Sequence, residues 1–200
     1  MLHFTPAEKI AREEKRFHFW QDVSLMVTEY HKTVERLLVE LGEEWKTGKK
    51  IKHVCRGCKR PLSIVDPREK LVLNYQPDVY FILKNNKKLI FEVLESEAEK
   101  QDIIVADVIR SFLVENVEAL IFIHPGPESV ETTIIEALVT IYKGLYYKGV
   151  SPKELPIFKK TGPYLLTREE VQNTNQAKIK LIQYATDAKW LFGGKPSHNL

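Results

Sequence analysis

Apolar and polar residues alternate in two short stretches near the middle of the chain. Asp78 opens the first stretch and Glu92 lies inside the second, with the polar tetrapeptide Lys84–Lys87 between them. Its two asparagines tolerate a positive φ angle, so the tetrapeptide predicts a hairpin turn. Because successive side chains of a strand point to opposite faces, Asp78 should share a face with Tyr80, and Glu92 with Ile90. The pattern predicts a β-hairpin that carries one carboxylate on each strand.

After this hairpin the pattern first becomes helical and then continuously apolar. Residues 105–113 have apolar side chains at helical spacing, which predicts a helix that buries Val105, Ile109, Phe112 and Leu113. The run Ala119–His124 has no polar interruption before Pro-Gly-Pro. Such a run predicts a strand that is buried on both faces, lies parallel to a neighbour and is reached through a crossover helix.

Both ends of the chain are predicted to be helical. A capping signature at Thr5 precedes an apolar stripe that advances in steps of three and four as far as Trp45. A second helical pattern covers residues 128–147. Another capping signature, at Thr167, predicts a C-terminal helix whose apolar residues include Val171, Ile179 and Ile182. Together the elements predict an α/β fold, with a mixed central sheet flanked by helices and long helices at both ends.

Length and composition indicate one ordinary globular domain over residues 1–200. The chain has 44% hydrophobic and 28% charged residues, and its longest apolar runs are shorter than the roughly 20 residues of a membrane span. We divide it into an N-terminal helical segment (1–47), a basic loop with two cysteines (48–65), a core (66–127) and a C-terminal helical region (128–200). The first residues lack the pattern of a secretory leader, so we expect a cytoplasmic protein.

The acid-bearing hairpin resembles the PD-(D/E)XK nuclease superfamily, which includes restriction endonucleases and archaeal Holliday-junction resolvases. In that family a Pro-Asp pair begins one strand, and an acid-x-Lys triplet lies on the next. Pro77-Asp78 matches the first part, and Glu92-Val93-Leu94 follows 14 positions later. The resemblance covers roughly residues 71–125 and implies a restriction-endonuclease-like core. It departs from the family at Leu94, which occupies the lysine position.

The resemblance implies a Mg²⁺-dependent DNA endonuclease in which Asp78 and Glu92 hold the ion and metal-bound water attacks the phosphate. The residues point the same way, because two carboxylates in an apolar sheet repel each other unless a cation joins them. Lys100, Lys87 or Lys88 could take the role of the missing lysine. The family also sometimes adds a helical glutamate to the metal site, for which the candidates are Glu35 and Glu44. The alternative, which Leu94 favours, is a catalytically degenerate nuclease fold that serves as a nucleic-acid-binding or dimeric assembly module.

The segment from Trp45 to Val65 contains no acid, although the net charge of the whole chain is only +3. Such a segment can neutralise phosphates, which predicts contact with DNA, and the alternative is a solvated surface loop. A cluster of five acids that begins in the second strand of the hairpin would repel DNA unless a metal ion neutralised part of its charge: Glu92, Glu95, Glu97, Glu99 and Asp102. The predicted nucleic-acid-binding residues are Lys46, Lys49, Lys50, Lys52, Arg56, Lys59 and Arg60.

The same segment contains both cysteines of the chain, Cys55 and Cys58. Their spacing is that of one half of a zinc ribbon, but a tetrahedral zinc site needs four ligands. His53, His31 or a second subunit's cysteine pair could complete such a site, and the last case predicts a zinc-bridged homodimer. The other interpretation is a structural loop with reduced or disulfide-linked cysteines; a redox role lacks the expected helix N-terminus.

Overall fold

The computed structural model describes residues 29–65, 72–95, 101–149 and 161–186. The predicted capping signature at Thr5 and the start of the first helix lie outside these ranges. The elements, in chain order, are α1 (Glu29–Thr47), β1 (Ile51–Arg56), β2 (Leu62–Val65), β3 (Val72–Tyr75), β4 (Val79–Leu83), β5 (Lys88–Val93), α2 (Gln101–Leu113), β6 (Val117–His124), α3 (Glu128–Tyr147), β7 (Thr161–Leu165), α4 (Arg168–Gln172) and α5 (Thr174–Thr186).

Five strands form a mixed sheet in the order β1-β4-β5-β6-β7. The first three strands of this order are antiparallel, whereas β5, β6 and β7 are parallel. Parallel neighbours need a crossover, and α2 and α3 lie between the parallel strands in the chain. Strands β2 and β3 form a separate antiparallel pair. The prediction of an α/β fold with a mixed sheet flanked by helices is confirmed.

The predicted hairpin is formed by β4 and β5. Its turn places Asn86 at a φ of 66°, the left-handed conformation that asparagine tolerates. The Leu83 N–H donates to the Lys87 carbonyl at 2.8 Å, and the Asn86 N–H donates to the Leu83 carbonyl at 3.0 Å. These bonds fix the register in which Val79 lies opposite Phe91.

One face of the sheet is covered by α1, α4 and α5. The apolar stripe of α1 is buried as predicted, and its members are Tyr30, Val34, Leu37, Leu38, Leu41 and Trp45. Gly42 allows this helix to approach the sheet closely, because a Cβ atom there would lie 2.5 Å from Val54 Cγ2. This contact fixes the height of α1 above the sheet.

The opposite face is covered by α2, α3 and the β2–β3 pair. On α2 the predicted face is right for Val105, which packs against the core on this side of the sheet, but wrong for Ile109 and Leu113, which are 46% and 54% exposed. Ile104 and Val108 are buried instead. Apolar residues lie almost all around this helix, so their spacing does not single out one side. The side chain of Phe112 is not among those described.

The C-terminal helical pattern also differs from the prediction. The capping box at Thr167 is present, but the helix it opens ends at Gln172, and a second helix starts at Thr174. In this second helix Ile179 is 58% exposed, and the buried side chains are Ala177, Leu181 and Ala185. Two of these three residues are alanines, which fit the packing against α1 and which hydrophobicity alone does not single out.

Strand β6 confirms the prediction of a strand buried on both faces. Ala119, Ile121 and Ile123 lie in the layer of α1, whereas Leu120 and Phe122 lie in the layer of α2 and α3. Its neighbours β5 and β7 are both parallel to it. Every side chain from Ala119 to His124 is therefore buried, which explains the uninterrupted apolar run.

Two segment assignments need correction. The segment 48–65, predicted to be a loop, contains β1 and β2, and the helical region 128–200 contains β7. Strand β1 is an edge strand with exposed Lys52 and His53, and charged residues are common on such edges. Because of these charged residues, β1 lacks the apolar pattern from which a strand is predicted. Among the helices in the described part, none is long and apolar enough to cross a membrane.

Candidate active site

Asp78 and Glu92 lie next to each other at one end of the sheet, which we call the acid end. Asp78 directly precedes β4, and the pairing of Val79 with Phe91 places it opposite Glu92 in β5. The Asp78 N–H donates to Glu92 Oε2 at 3.3 Å, and the Val93 N–H donates to Asp78 Oδ2 at 2.7 Å. Each carboxylate is thus bonded to the backbone of the neighbouring strand, and the two are held together.

Glu92 is buried, with only 7% of its surface exposed. The Tyr75 hydroxyl at the end of β3 donates a hydrogen bond to Glu92 Oε1. Both carboxylate oxygens of Glu92 therefore have a fixed donor. Tyr75 was not predicted as a site residue, and nothing in the sequence marks it, because its place depends on how β2 and β3 fold over the sheet.

A third carboxylate, Asp107 of α2, faces the pair. Burial raises the pKa of Glu92 well above its usual value, and the charges of Asp78 and Asp107 raise it further. Burial also raises the pKa of Asp107, to about 6, although Arg110 Nη1 lies 3.1 Å from its carboxylate. Sequence reasoning missed Asp107. The available signal was its position as the only acid between Ile103 and Val114.

His31, in the first turns of α1, lies between two carboxylates. Its Nε2 is 3.1 Å from Asp78 Oδ1, and its Nδ1 is 3.1 Å from Glu95 Oε1. Burial lowers the pKa of the imidazole, but the hydrogen bond to Asp78 and the surrounding negative charges outweigh burial and raise it above its usual value. The sequence suggested His31 only as a zinc ligand; the structure places it at the acid end. The side chains of Glu97, Glu99 and Asp102 are not among those described.

The two helical glutamates lie at different ends of α1. Glu35 is one turn from His31, where its charge contributes to the raised pKa of the imidazole, and it pairs with Arg56 at 3.2 Å. Glu44 lies about 13 Å further along the helix and pairs with Lys178 at 2.9 Å. Of the two, Glu35 belongs to the acid end.

None of the described lysines fills the place of the motif lysine. Leu94 is 3% exposed and packs in the apolar layer of α2 and α3. The suggestion of Lys87 or Lys88 is wrong, because both lie at the opposite end of β5, about 13 Å from Glu92 along the strand. There Lys87 pairs with Glu118 at 2.5 Å, and Lys88 donates to the Glu115 carbonyl at 2.6 Å. Lys100 lies outside the described residues.

The basic segment does not form one surface, because β1 carries it from one end of the sheet to the other. Lys52 donates to Asn86 in the hairpin turn at 2.6 Å, so this lysine lies at the turn end. Arg56 pairs with Val79, next to Asp78, and the Arg60 carbonyl accepts a bond from Tyr80 at 2.9 Å. About 13 Å of strand separates the two groups at their nearest members, Lys52 and Arg56. The turn-end group is Lys49, Lys50 and Lys52; the acid-end group is Arg56, Lys59 and Arg60; Lys46 pairs with Glu43 at 3.2 Å on α1.

Cys55 and Cys58 are free thiols near the acid end of β1. Cys55 is half-buried in the strand and Cys58 is exposed in the turn that follows. His31, one of the residues suggested to complete a zinc site, contacts Asp78 and Glu95 instead. Two thiols are half of a tetrahedral zinc site, so zinc and a zinc-bridged homodimer remain predictions.

The donor chemistry of Asp78 and Glu92 fits a magnesium ion. Within the described ranges, no group of three or more His, Cys, Asp or Glu side chains is arranged to hold a metal ion. Magnesium does not need such a group, because it keeps several waters and binds proteins through one or two carboxylates. A cation beside this pair would also relieve the repulsion between its charges.

No family model matches the chain, and neither a curated protein nor a solved structure matches it. Its function therefore has to be inferred from the acid end of the sheet and the residues around it.

Proposed function

We propose that the chain is a Mg²⁺-dependent nuclease of the PD-(D/E)XK type, which hydrolyses phosphodiester bonds in DNA. The observation that carries this proposal is the meeting of Asp78 and Glu92 across the β4–β5 pair. Two acids that meet at the end of an apolar sheet repel each other and lower the stability of the fold. Their presence there therefore points to a functional site. Binding a hard divalent cation is the purpose that suits their oxygen atoms.

The order of the elements supports the proposal. A helix, α1, precedes the antiparallel strands β1, β4 and β5, and α2 then crosses over to the parallel strand β6. A hairpin followed by a helix and a buried strand is also the core order of the nuclease superfamily that the sequence resembles. The acids occupy the corresponding places, at the start of β4 and within β5.

The protein's own residues position the two carboxylates for such an ion. Tyr75 and the Asp78 N–H hold Glu92, while His31 and the Val93 N–H hold Asp78. When bound, magnesium would stabilise the charge that develops on the phosphate and acidify a water molecule. Because the carboxylates are fixed before the substrate arrives, little reorganisation is needed.

A second candidate is favoured by one observation, the burial of Leu94. The lysine expected at this position would assist the attacking water, and an apolar side chain cannot do so. Without that group the fold could bind nucleic acid without cutting it, as a catalytically degenerate binding or assembly module. The two candidates share the fold and differ in cleavage, and the binding form of the second also shares the nucleic-acid partner.

Cleavage of labelled single-stranded and duplex DNA in Mg²⁺ or Mn²⁺ tests the proposal. We expect cleavage by the unmodified protein, and a loss of at least about 1,000-fold, or roughly 4 kcal/mol of barrier, in Asp78→Asn and in Glu92→Gln. Glu136→Gln, an exposed carboxylate of α3, is the matched control and should cut normally. Thermal melts of all variants verify that the fold is intact.

The outcomes separate the two candidates. DNA binding without cleavage in either metal would favour the binding module and end the nuclease proposal. Cleavage that survives both carboxylate substitutions would place the chemistry elsewhere in the molecule. If the protein neither binds nor cuts DNA, the nuclease and the nucleic-acid-binding module are both refuted, and only the assembly module is left.

A further inference from the structure

A cavity of about 380 Å³ lies between α1 and the α4–α5 pair, immediately beside the acid end. This volume is at the lower end of the range of small-ligand sites, about 300–1,000 Å³. Two cationic residues of its lining, Arg36 and Arg168, come from different helices. The described residues of the lining also include Glu29 and Tyr30.

The floor of the cavity is rigid. The Tyr30 hydroxyl donates to the Leu166 carbonyl at 2.8 Å, so the ring has a fixed position. The Arg168 guanidinium lies over this ring, 5.4 Å from its centroid, and donates to the Glu95 carbonyl at 3.1 Å. A guanidinium has five N–H donors, so this contact leaves others for a ligand.

The described lining residues carry a net positive charge. Among them, Arg36 and Arg168 contribute two positive charges and Glu29 one negative charge, which leaves a sum of +1 for these residues. Arg36 lies 3.7 Å from Glu40, too far for a hydrogen bond, and 57% of its side chain is exposed. The guanidinium of Arg36 is therefore accessible to an anion at the mouth of the cavity.

Short contacts connect this cavity with the acid pair. Tyr30 in the floor is followed in the chain by His31, which contacts Asp78 and Glu95. Arg168 contacts the backbone of the same Glu95. Glu95 and His31 therefore connect Arg168 with Asp78.

We propose that this cavity is a phosphate subsite, in which Arg36 and Arg168 hold one phosphodiester group of the DNA backbone next to the group at the acid pair. The inference rests on the proposed function and deepens it. One phosphodiester carries a single negative charge, which matches the net charge of the described lining residues. Arginine suits this task because its planar fork donates two parallel hydrogen bonds to phosphate oxygens.

Binding of the full chain to labelled DNA in EDTA, measured by fluorescence anisotropy at several salt concentrations, tests the subsite without cleavage. We expect Arg36→Gln and Arg168→Gln each to reduce the slope of log affinity against log salt by up to about 0.9 on duplex DNA. Because both arginines hold the same phosphate, the double variant should lose no more than one such contact. Arg168→Lys keeps the charge and should retain most of the slope.

The matched control is Lys143→Gln, which removes one exposed positive charge from α3 on the other face of the sheet. Arginine variants that behave like this control would overturn the subsite and leave the nuclease proposal to the cleavage assay. A slope that falls in the arginine variants of a protein without cleavage would support the subsite and refute the nuclease proposal. A 5′-mononucleotide that binds through these arginines, with DNA affinity unaffected by their loss, would overturn the assignment to a DNA backbone.

Discussion

The two ends of the β4–β5 hairpin have opposite chemistry. The acid end holds Asp78 and Glu92, with Asp107 facing them and His31 beside them. At the turn end, Lys52 contacts Asn86, and Lys87 and Lys88 contact residues at the start of β6 and just before it. One end thus concentrates carboxylates whose charges repel one another, and the other consists of solvated lysines in ordinary surface contacts.

Charged residues that follow one another in the sequence therefore need not form one surface. The basic segment 46–60 looks uniform, but β1 separates its turn-end group from its acid-end group by about 13 Å. Only Arg56, Lys59 and Arg60 lie at the end that holds the acid pair. The two ends can therefore be tested against each other with charge-matched substitutions.

The largest effect on stability should come from substitution of Gly57, which packs beside the acid end. An added Cβ atom would lie 1.9 Å from the Pro77 carbonyl oxygen, and the backbone there cannot move without displacing Asp78. We expect Gly57→Ala to lower the free energy of unfolding by about 4 kcal/mol or more. Urea denaturation measures the change.

Gly144→Ala in α3 is the matched control, because its new methyl group meets no atom within 4 Å. It should stabilise the protein by up to about 1 kcal/mol, the helix propensity that alanine gains over glycine. Equal stabilities of the two variants would show that the acid end is not as tightly packed as its contacts indicate.

Asp107 is expected to have a smaller effect on the free energy of unfolding, and this effect depends on pH. The pKa of its carboxyl is raised from 3.8 to about 6 in the folded state, so between these pH values the folded state binds more protons than the unfolded state. The free energy of unfolding should therefore fall as the pH rises through this window, by up to about 3 kcal/mol. Asp107→Asn removes the titrating group and should flatten the profile.

Urea denaturation at pH 4, 5, 6 and 7 compares the two proteins. The stabilities should be similar at pH 4, and the variant should be the more stable protein at pH 7. Parallel profiles for Asp107→Asn and the unmodified protein would refute the electrostatic cost assigned to this carboxylate.

The smallest expected effect is on DNA affinity, and it distinguishes the turn-end basic group from the acid-end basic group. We expect Lys59→Gln/Arg60→Gln to weaken DNA binding about tenfold, or roughly 1.4 kcal/mol, and to reduce the salt slope by up to about 1.8. Lys49→Gln/Lys50→Gln at the turn end removes the same charge and should change neither quantity. Anisotropy titrations of both doubles at several salt concentrations give the comparison, and equal losses would contradict the division of the segment.

Much of the fold could be predicted because the pattern of its elements is local. The hairpin turn, the stripe of α1 and the doubly buried strand β6 all follow from residues that are adjacent in the chain. The buried faces of α2 and α5 could not be read in the same way. Apolar side chains surround α2, and two of the three buried residues on α5 are alanines, which hydrophobicity alone does not single out.

The acid pair was predictable, but its surroundings were not. Asp78 and Glu92 follow from strand alternation within one hairpin. Tyr75, Asp107 and His31 reach the pair from three other elements, and only tertiary packing brings them there. The one signal that could have pointed to Asp107 was its position as the only acid between Ile103 and Val114.

The central claim is that Asp78 and Glu92 form a site for a divalent cation, and a crystal soaked in Mn²⁺ tests it most directly. We predict an anomalous scattering peak in contact with both carboxylates, and its loss in crystals of Glu92→Gln. Well-ordered Asp78 and Glu92 side chains without such a peak, at a manganese concentration that labels other sites, would contradict the claim.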